Sequence, residues 1–320
     1  MKKVLSVILT AAVVACLAGC GGAGEHGDQG KPSGRADETI VTFFNVGAVP
    51  QVLDSGSCAI IEDSGKLIVV DAGWNVAATQ EKITQFLRKK QYTKIDHLIL
   101  THAHDDHCGG IPYLIDRFDV GSYYYKPCAD YGVQNYDNAE KFNNNIVAQL
   151  QTKTNEDGSN PQIIVPSQEK TDYAVSETSA FTIYYRQDVF DGKPEMYTGD
   201  KIDYNAYSFG VRFKSKHTSV YIGGDAPNFL DEVLLDSVGH CQIMAAPHHG
   251  TTGPYSSAAL IGEIAPEYTV IQGLNMNFGA DTRERYVQSG TKIYTNEDYG
   301  SIIFTAKTGE VSVKTEKSPD

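Results

Sequence analysis

The sequence has 320 residues, of which 41% are hydrophobic, and its formal net charge is −13 because 40 acidic side chains outnumber 27 lysines and arginines. A single α/β domain is favoured over two, because no internal linker or helical repeat divides the chain. The acidic balance argues against broad, nonspecific attraction to nucleic acid, whose phosphates are usually met by Lys and Arg clusters, although a local basic groove stays open.

The first residues are typical of a secretion signal. Lys2 and Lys3 precede an apolar run, residues 4–15, that is shorter than the ~20 residues a membrane-spanning helix needs. The small residues that follow, ending in Cys20, resemble the lipobox of bacterial lipoproteins. The resemblance implies a signal peptide over residues 1–19 and a lipid on Cys20 that anchors an extracytoplasmic protein to the cell membrane. An ordinary signal peptide without a lipid is the alternative.

The mature chain is expected to begin with a flexible tether. Residues 20–38 contain almost no apolar side chain, so they bury too little surface to offset the entropy of ordering. Residues 39–320 are then predicted to form the folded domain. Its cysteines lack the CxxC spacing of a zinc site and are interpreted as buried thiols or as one or two disulfides of open pairing. They are Cys58, Cys108, Cys128 and Cys241.

The first part of the domain is predicted to be a strand meander followed by helices. Runs rich in β-branched and aromatic residues, separated by Gly, Ser and Asp, indicate strands over residues 39–46, 58–62 and 67–71. Asn75 is expected to cap a helix that runs to residue 90, because apolar residues there recur at helical spacing. A buried strand, residues 95–101, leads directly into His102, and a further helix is expected from Asp106 to Asp116.

Residues 121–205 are polar, rich in tyrosine and weakly patterned, and they are interpreted as an insertion with one helix over residues 139–151. Its tyrosines, together with Trp74, could cage a cationic ligand, stack on bases or form a small core, and the core is favoured. These tyrosines are Tyr123, Tyr124, Tyr125, Tyr131 and Tyr136. Further strands are expected over residues 208–213, 220–223, 241–246, 268–272, 292–294, 301–305 and 311–314, and helices over residues 256–264 and 282–289.

The strand that ends near residue 101 leads into a histidine-rich sequence, His102-Ala-His104-Asp-Asp106-His107. Histidines two apart at the end of a strand point to the same side, and a turn can bring the aspartate and the third histidine back toward them. Imidazoles suit Zn, Cu, Fe or Ni, while the carboxylate keeps harder divalent ions open. These candidate ligands therefore predict a metal site, whereas a lone histidine would indicate a satisfied surface or core residue.

Two later strand ends complete the predicted site. Asp225 follows an apolar strand and two glycines, which permit close backbone approach, so its carboxylate can bridge two cations. A turn-capping aspartate is the alternative for this residue. His248 and His249 follow another strand in the sequence Pro-His-His-Gly. Because strand ends gather at one edge of a sandwich, these side chains are expected to meet the first cluster.

The sequences HAHDDHCGG, GGDA and PHHG, in this order and after DAG at residues 71–73, resemble the metallo-β-lactamase superfamily. The resemblance covers nearly all of residues 39–314. Within the superfamily, the GGDA-to-PHHG spacing, residues 205–208 and the sequence TNEDYGSIIF are similar to the ComEC-type competence-protein hydrolase domain and to the pneumococcal phosphorylcholine esterase domain. The resemblance implies an α/β fold, the four-layer αββα sandwich.

The same resemblance implies a metal-dependent hydrolase with two divalent ions, Zn²⁺ being favoured over Mn²⁺. The implied ligands are His102, His104, Asp106, His107, Asp225, His248 and His249. The first two histidines would hold one ion and Asp106 and His107 the second, with Asp225 as the bridge. His248 and His249 would complete the ligand shells or approach the leaving group, so they and Asp106 are the candidate catalytic residues. A metal-activated hydroxide is the expected nucleophile.

Other residues near these motifs carry weaker predictions. Many superfamily members supply another histidine before the bridging aspartate, and the candidate here, His217, is interpreted as part of a polar hairpin turn. A histidine frequent near residues 278–280 in the ComEC-type pattern is missing, which predicts that one metal is weakly held. Asp105 is expected to shuttle a proton or to cap a helix. Asp71 is expected to orient a ligand, and His97 to be structural.

The expected substrate is a phosphodiester, either a small molecule or a component of the cell envelope. Two metals suit phosphodiester cleavage, both similar subfamilies resemble phosphodiesterases, and a membrane-tethered enzyme meets such compounds. A β-lactamase or another acyl hydrolase, acting on lactones or thioesters, is the alternative, and His104 disfavours a di-iron redox member. A non-enzymatic metal-containing binding lipoprotein is the alternative of another class. Nucleic acid stays open as a partner but is not favoured by the charge.

Overall fold

The computed structural model describes residues 37–49, 52–128, 136–191 and 204–319. The predicted signal peptide, Cys20, most of the predicted tether and Tyr131 lie outside these residues. Within them, no helix has both the length and the apolar character needed to cross a membrane. The predictions of secretion and of lipid attachment therefore stay predictions.

The described residues form seventeen strands and nine α-helices. The strands are β1 (Thr39–Phe43), β2 (Ala48–Val49), β3 (Val52–Leu53), β4 (Ala59–Asp63), β5 (Lys66–Val70), β6 (Lys94–Ile99), β7 (Asp119–Tyr124), β8 (Gln162–Ile164), β9 (Lys170–Ala174), β10 (Ala180–Tyr184), β11 (Gly210–Lys214), β12 (Ser219–Ile222), β13 (Ile243–Ala245), β14 (Tyr268–Ile271), β15 (Lys292–Thr295), β16 (Ile302–Lys307) and β17 (Glu310–Thr315). The helices are α1 (Ala77–Lys89), α2 (Asp105–Cys108), α3 (Ile111–Arg117), α4 (Tyr136–Thr152), α5 (Gln187–Phe190), α6 (Asp231–Leu234), α7 (Ala258–Ile264), α8 (Ala280–Ser289) and α9 (Asn296–Tyr299).

The strands form two large sheets and one short hairpin. The first sheet has the order β17-β16-β1-β4-β5-β6-β7-β8, and the second has the order β15-β14-β13-β12-β11-β10-β9. The β4–β5 hairpin turns at Ser64 and Gly65, and the β16–β17 hairpin turns at Thr308 and Gly309, all with positive φ. Such paired positive values match the right-handed twist of the flanking strands. Neighbours from β5 to β8 and from β12 to β15 pair in parallel.

Alternating side chains show that the second sheet is covered on both faces. Ile243 and Ala245 of β13 belong to the apolar cluster that also contains the strands of the first sheet. Met244, between them, belongs to a separate cluster with Leu260 of α7 and Tyr286 of α8. Because side chains alternate along a strand, one face packs on the other sheet and the opposite face packs on helices. The predicted αββα sandwich is confirmed.

The helices pack in two groups. Helix α3 contacts α1 and α4, which follow strands of the first sheet, while α7 contacts α6 and α8, which follow strands of the second. Two sequence-based boundaries were wrong. Helix α1 is preceded by Val76 rather than by an Asn75 cap, and the helix expected from Asp106 to Asp116 is divided into α2 and α3.

The tyrosine-rich segment, residues 121–205, contains regular structure beyond the one helix expected there. It supplies most of β7 and all of β8 to the first sheet, and β9 and β10 to the second. Tyr123 and Tyr124 are buried in the common core, and Tyr124 packs edge-on against Phe181 of β10 at a centroid distance of 5.1 Å. For these two tyrosines the structure agrees with the prediction that they form a core rather than a ligand-binding surface.

Parallel pairing fixes where the candidate ligands lie. In the first sheet β5 and β6 run side by side, and their carboxyl ends lead into Asp71 and His102. In the second sheet β12 and β13 run side by side, and their carboxyl ends lead into Asp225 and His248. The two sheets are joined at this edge, because the amide of Phe209 donates to the carbonyl of Thr101 at 2.9 Å. The motifs therefore meet at one edge of the sandwich.

Candidate metal centre

The histidines after β6 form the first half of the site. His102 is buried and His104 is half-buried, and the ring atoms His102 Nε2 and His104 Nδ1 lie 3.0 Å apart. With Asp225 these two histidines form one group whose candidate ligand atoms all lie within 4.8 Å of one another. The spacing of two residues at a strand end thus places both imidazoles on one side, as predicted.

The second group lies on the other side of the same aspartate. It consists of Asp106, His107 and His249, whose candidate ligand atoms also lie within 4.8 Å of one another. His249 Nε2 is 3.1 Å from Asp106 Oδ2, and His107 Nε2 is 3.8 Å from the same oxygen. These residues come from the two different sheets, so the group exists only when the sandwich has formed.

Asp225 lies between the two groups, and each of its oxygens faces one of them. Oδ1 is 3.1 Å from His107 Nε2 and 3.7 Å from His249 Nε2. Oδ2 is 3.6 Å from His102 Nε2 and 3.7 Å from His248 Nε2. The carboxylate is 2% exposed, so it is held among imidazoles rather than in water. This is the arrangement that a carboxylate bridging two cations requires.

Asp71 fixes the orientation of His107. Its carboxylate accepts hydrogen bonds from the backbone amide of Thr101 at 2.8 Å and from the Thr101 hydroxyl at 2.7 Å. The same carboxylate lies 2.8 Å from His107 Nδ1. A proton on Nδ1 leaves the lone pair on Nε2, which faces the site. Asp71 thereby behaves as the orienting residue that was expected.

The Pro-His-His-Gly turn presents two imidazoles through an unusual backbone. His248 and His249 both have left-handed conformations, with φ of 50° and 55°. Such values cost of order 1–3 kcal/mol for non-glycine residues and persist where the surroundings enforce them. The ring of His249 is fixed because its Nδ1 lies 2.9 Å from the carbonyl oxygen of Gln272. Its Nε2 is therefore directed at Asp106.

His248 is more accessible than His249 and has a different environment. Its side chain is 27% exposed, and its ring packs against Tyr255 at a centroid distance of 4.2 Å. Its Nε2 lies 3.2 Å from the Asn205 side-chain amide nitrogen. His248 belongs to neither of the two groups of candidate ligands, although it lies beside the first one.

The glycines before Asp225 are needed for this close approach. Gly224 has φ of 52°, and a Cβ at this position would lie 2.8 Å from the Thr101 Cβ. A Cβ on Gly223 would lie 2.5 Å from the Pro247 side chain. Real Cβ atoms do not tolerate such distances, so both positions exclude larger residues. The GGDA sequence thus lets three motif loops converge.

Within the centre, burial and the neighbouring charges have opposite effects on the pKa values of His107 and Asp225. Burial lowers the pKa of His107, but the carboxylates of Asp225 and Asp106 outweigh it and place this pKa well above the usual imidazole value. Burial also disfavours charge on Asp225, yet His107 and His249 hold its pKa well below the usual range. Burial lowers the pKa of His102 well below its ordinary value. Asp225 therefore stays ionised, and His102 stays neutral with a lone pair available.

The donor set fits divalent cations. His107 Nε2 and Asp225 Oδ1 are buried, and neither makes a hydrogen bond of acceptable geometry among the described residues. A cation would satisfy both atoms by taking the place of the proton on His107 Nε2, whose lone pair it would bind together with one of Asp225 Oδ1. Imidazole nitrogens with carboxylate oxygens suit Zn²⁺ and related ions. The structure thus contains two candidate metal-binding groups, and the ligand role of each residue stays a prediction.

Two clefts open beside these groups. The larger cleft, of about 550 Å³, is lined by Trp74, Ala103, His104, Asp105, Asp106, Asn138, Ala139 and Phe142. The smaller cleft, of about 270 Å³, is lined by Asp54, Ser55, Trp74, Asp106, His248, His249, Thr251 and Asn277. Trp74 and Asp106 line both. A ligand could therefore reach the metal-binding residues from either cleft.

Several weaker sequence candidates lie elsewhere or have structural roles. The Nδ1 of His217 accepts a hydrogen bond from the Thr308 amide at 3.0 Å, in the β11–β12 hairpin. His97 lies 2.9 Å from the Tyr124 hydroxyl and packs on Phe181, as expected of a structural residue. Asp105 is exposed in the larger cleft and is the first residue of helix α2. The N-cap position is His104, whose side chain makes no capping hydrogen bond.

All four cysteines of the domain are free thiols in the structure. Cys58, Cys108 and Cys241 are buried, and burial raises the pKa of each thiol. Of the two interpretations made from the sequence, the structure therefore agrees with free thiols and not with one or two disulfides. Buried thiols of raised pKa are inert packing groups.

The sequence did not predict the contacts that orient His248 and His249. The Gln272 carbonyl at His249, the Asn205 amide at His248 and the Tyr255 ring were not predicted. None of them belongs to a metal-binding motif. They come from the ends of other strands and from loops; residues 205–208 belong to the subfamily resemblance, but that resemblance did not indicate a contact of Asn205 with His248.

A sequence model of the metallo-beta-lactamase superfamily matches residues 52–176. The match includes the HAHDDH motif and ends before Asp225. Among solved structures, the metallo-beta-lactamase fold protein YhfI from Bacillus subtilis aligns with a TM-score of 0.50 and 16% sequence identity, covering 87% of this chain and 100% of that chain. At this identity the likeness shows the fold.

Curated relatives match shorter stretches. Endoribonuclease YSH1 of Saccharomyces cerevisiae is 31% identical over 83 residues, which are 26% of this chain and 10% of that protein. Metallo-beta-lactamase type 2 of a Bacillus species is 34% identical over 79 residues, which are 25% of this chain and 28% of that protein. The chain thus spans a minor part of either relative. Residues 52–176 therefore match the metallo-beta-lactamase superfamily model, and the αββα fold of the described residues agrees with that match.

Proposed function

We propose that this chain is a metal-dependent hydrolase, specifically a phosphodiesterase with two divalent ions, Zn²⁺ by preference and Mn²⁺ as the alternative. The observation that carries the proposal is Asp225, whose two oxygens face two separate groups of nitrogen and oxygen donors. A structural zinc needs one closed set of four ligands. Two groups sharing one carboxylate beside open clefts are instead typical of a catalytic centre.

The two ions would be held by the groups on either side of Asp225. His102, His104 and the Oδ2 oxygen of Asp225 would hold one ion, with His248 beside it. Asp106, His107, His249 and the Oδ1 oxygen would hold the other. When bound, paired cations of this kind lower the pKa of a water molecule and stabilise negative charge on the attacking and leaving oxygens.

The residues of the chain position this chemistry. Asp71 and the Gln272 carbonyl keep the Nδ1 atoms of His107 and His249 occupied, so both Nε2 atoms face the site. Hydrolysis of a phosphodiester adds water to phosphorus, breaks one phosphorus–oxygen ester bond and delivers a proton to the departing alcohol. His248 is half-buried and lines the smaller cleft, so it lies where a departing alcohol can be contacted.

The two-group centre suits phosphodiesters, because paired cations can stabilise the attacking and the leaving oxygen of an in-line displacement at phosphorus. The yeast relative is named an endoribonuclease, and the Bacillus relative is named a metallo-beta-lactamase. The acidic composition, with a net charge of −13, does not favour nucleic acid. Small-molecule and cell-envelope phosphodiesters are therefore the proposed substrates.

The test is hydrolysis of bis-p-nitrophenyl phosphate and p-nitrophenylphosphorylcholine by the full-length, metal-loaded protein. Asp225→Ala and His102→Ala should each abolish turnover, because each removes a proposed ligand. His240→Ala is the matched control, since His240 is exposed and lies 3.0 Å from the Ile264 carbonyl rather than in the centre. Absence of turnover with both substrates, while nitrocefin or a thioester is cleaved, would replace the phosphodiester proposal by acyl hydrolysis.

We further propose that the protein is extracytoplasmic and anchored to the cell membrane through a lipid on Cys20. The support is the basic and apolar N-terminal sequence that ends in Leu-Ala-Gly-Cys. Metabolic labelling with an alkyne fatty acid, followed by fractionation, tests this. Wild-type protein should carry the label in the membrane fraction and Cys20→Ser should not. Equal distribution of the two proteins would contradict the anchor.

A further inference from the structure

The two clefts meet at the metal-binding residues. Asp106 lines both, His104 lines the larger cleft, and His248 and His249 line the smaller one. The reacting group of a substrate must therefore lie at the junction of the clefts. A molecule with a substituent on each side of that group can fill both.

Trp74 lines both clefts and is held firmly. Its indole Nε1 donates to the carbonyl of Ser55 at 2.7 Å. Its own carbonyl accepts from the Gln80 side chain at 2.8 Å. A Cβ on Gly56 would lie 3.0 Å from the indole nitrogen, so the chain passes directly against the ring. The half-buried indole is thus a preformed surface rather than a mobile side chain.

The linings of the two clefts differ in chemistry. Beyond the metal-binding residues, the larger cleft presents two aromatic rings, those of Trp74 and Phe142, and the methyl groups of Ala103 and Ala139. Its polar groups there are the side chains of Asp105 and Asn138. The smaller cleft shares Trp74 but has, among the residues that the structure describes, no second aromatic ring beyond the histidines, and it presents hydrogen-bonding groups from Asp54, Ser55, Thr251 and Asn277. The Asn277 amide donates to Asp54 at 3.2 Å and to Ser55 at 3.0 Å, so this polar surface is preformed too. One side favours an apolar group and the other favours a hydroxylated one.

We propose that Trp74 determines specificity by dividing the substrate groove, and that the substrate is a phosphodiester with unlike ester groups. The group retained on phosphorus is flat and apolar and packs on Trp74 in the larger cleft. The departing alcohol is small and hydroxylated and lies in the smaller cleft, beside His248 and His249. This inference rests on the proposed phosphodiesterase function.

Steady-state kinetics of the full-length, metal-loaded protein test the larger cleft. The substrates are phenyl glyceryl phosphate and methyl glyceryl phosphate, which share a small hydroxylated leaving group, glycerol, and differ in the retained group; the release of glycerol is measured. Trp74→Ala should raise KM for the phenyl ester about five- to tenfold while changing KM for the methyl ester less than about twofold, as expected for one lost aromatic contact. Trp74→Phe should restore most of the difference, and kcat should change little.

A binding measurement gives a second readout that does not need turnover. Trp74 is the single tryptophan of the sequence, so the tryptophan emission arises from the groove. Diphenyl phosphate should shift or quench this emission at several-fold lower concentration than dimethyl phosphate. Phe86→Ala is the control, since Phe86 is an aromatic residue that packs on Phe44 away from both clefts, and it should not change either titration.

The outcomes separate the two claims. If neither diester is hydrolysed, the proposed function fails. If both are hydrolysed but Trp74→Ala affects the phenyl and methyl esters equally, or alters kcat alone, the inference about Trp74 is wrong. Equal titration of the emission by diphenyl and dimethyl phosphate would also overturn it.

Discussion

Replacing Asp71 by Asn should weaken metal binding while leaving the protein folded. Asp71 has φ of 58°, a left-handed value that asparagine tolerates and alanine does not. The Asn oxygen can still accept from the Thr101 amide, so the local backbone is retained. The Asn amide group, however, is a donor that would face His107 Nδ1, so this nitrogen must accept and the proton must move to Nε2. A protonated Nε2 cannot bind a metal.

The expected magnitude follows from these contacts. Exchanging a fully buried, charged hydrogen-bond acceptor for a neutral one costs about 1.5–3 kcal/mol of unfolding free energy. For a domain of this size, that lowers Tm by about 3–10 °C. Loss of the orienting carboxylate should weaken the metal that His107 binds by about 10- to 100-fold. The variant is therefore expected to stay folded and to bind one metal much more weakly than wild type.

Competition with a chromophoric zinc chelator measures the affinity, and thermal unfolding measures the fold. Asp96→Asn is the matched control, because Asp96 also accepts from a backbone amide, that of Leu67 at 3.0 Å, but at the opposite end of β6. It should lower Tm without changing metal affinity. If Asp71→Asn binds two metals as tightly as wild type, the proposed role of Asp71 is wrong.

Three further predictions test the site and its surroundings. Gly224→Ala should destabilise the protein by more than Gly239→Ala, since both have positive φ but a Cβ meets Thr101 at the first position and nothing within 4 Å at the second; equal Tm values would contradict this. In chelator-treated protein the raised pKa of His107 adds stability that is complete below the unfolded-state pKa of ~6.5 and is lost as pH rises through the folded-state pKa. The Tm of this metal-free protein should therefore fall as the pH is raised above ~6.5, and a rise would refute the assignment. Because the cysteines of the domain are free thiols, dithiothreitol should leave Tm unchanged; a large decrease would indicate a disulfide.

The residues of the centre could be predicted because each follows a strand with a clear apolar pattern. The strands before Asp225 and His248 are short buried runs, and the strand before His102 ends in two buried residues; the structure places each of the three residues after the carboxyl end of its strand. Parallel pairing then brings those ends to one edge, which is a general property of such sheets. The structure brings all seven predicted ligands together, while their binding of metal stays a prediction.

The segment from residue 121 to residue 205 could not be predicted in the same way. Strand β9 alternates exposed and half-buried residues, and β8 has three residues, so neither carries a strong apolar signal. Both are edge strands, and their positions depend on pairing with strands far away in the sequence. The contacts of Gln272 and Asn205 with the histidines are likewise long-range. Such contacts follow from the assembled sandwich and not from local sequence.

The most direct test of the account is anomalous scattering at the zinc absorption edge from crystals of the zinc-loaded protein. The account predicts two peaks, one on each side of the Asp225 carboxylate, with His102 and His104 around one and Asp106, His107 and His249 around the other. A single peak enclosed by four protein ligands, or peaks away from Asp225, would contradict the two-metal centre on which the proposed function depends.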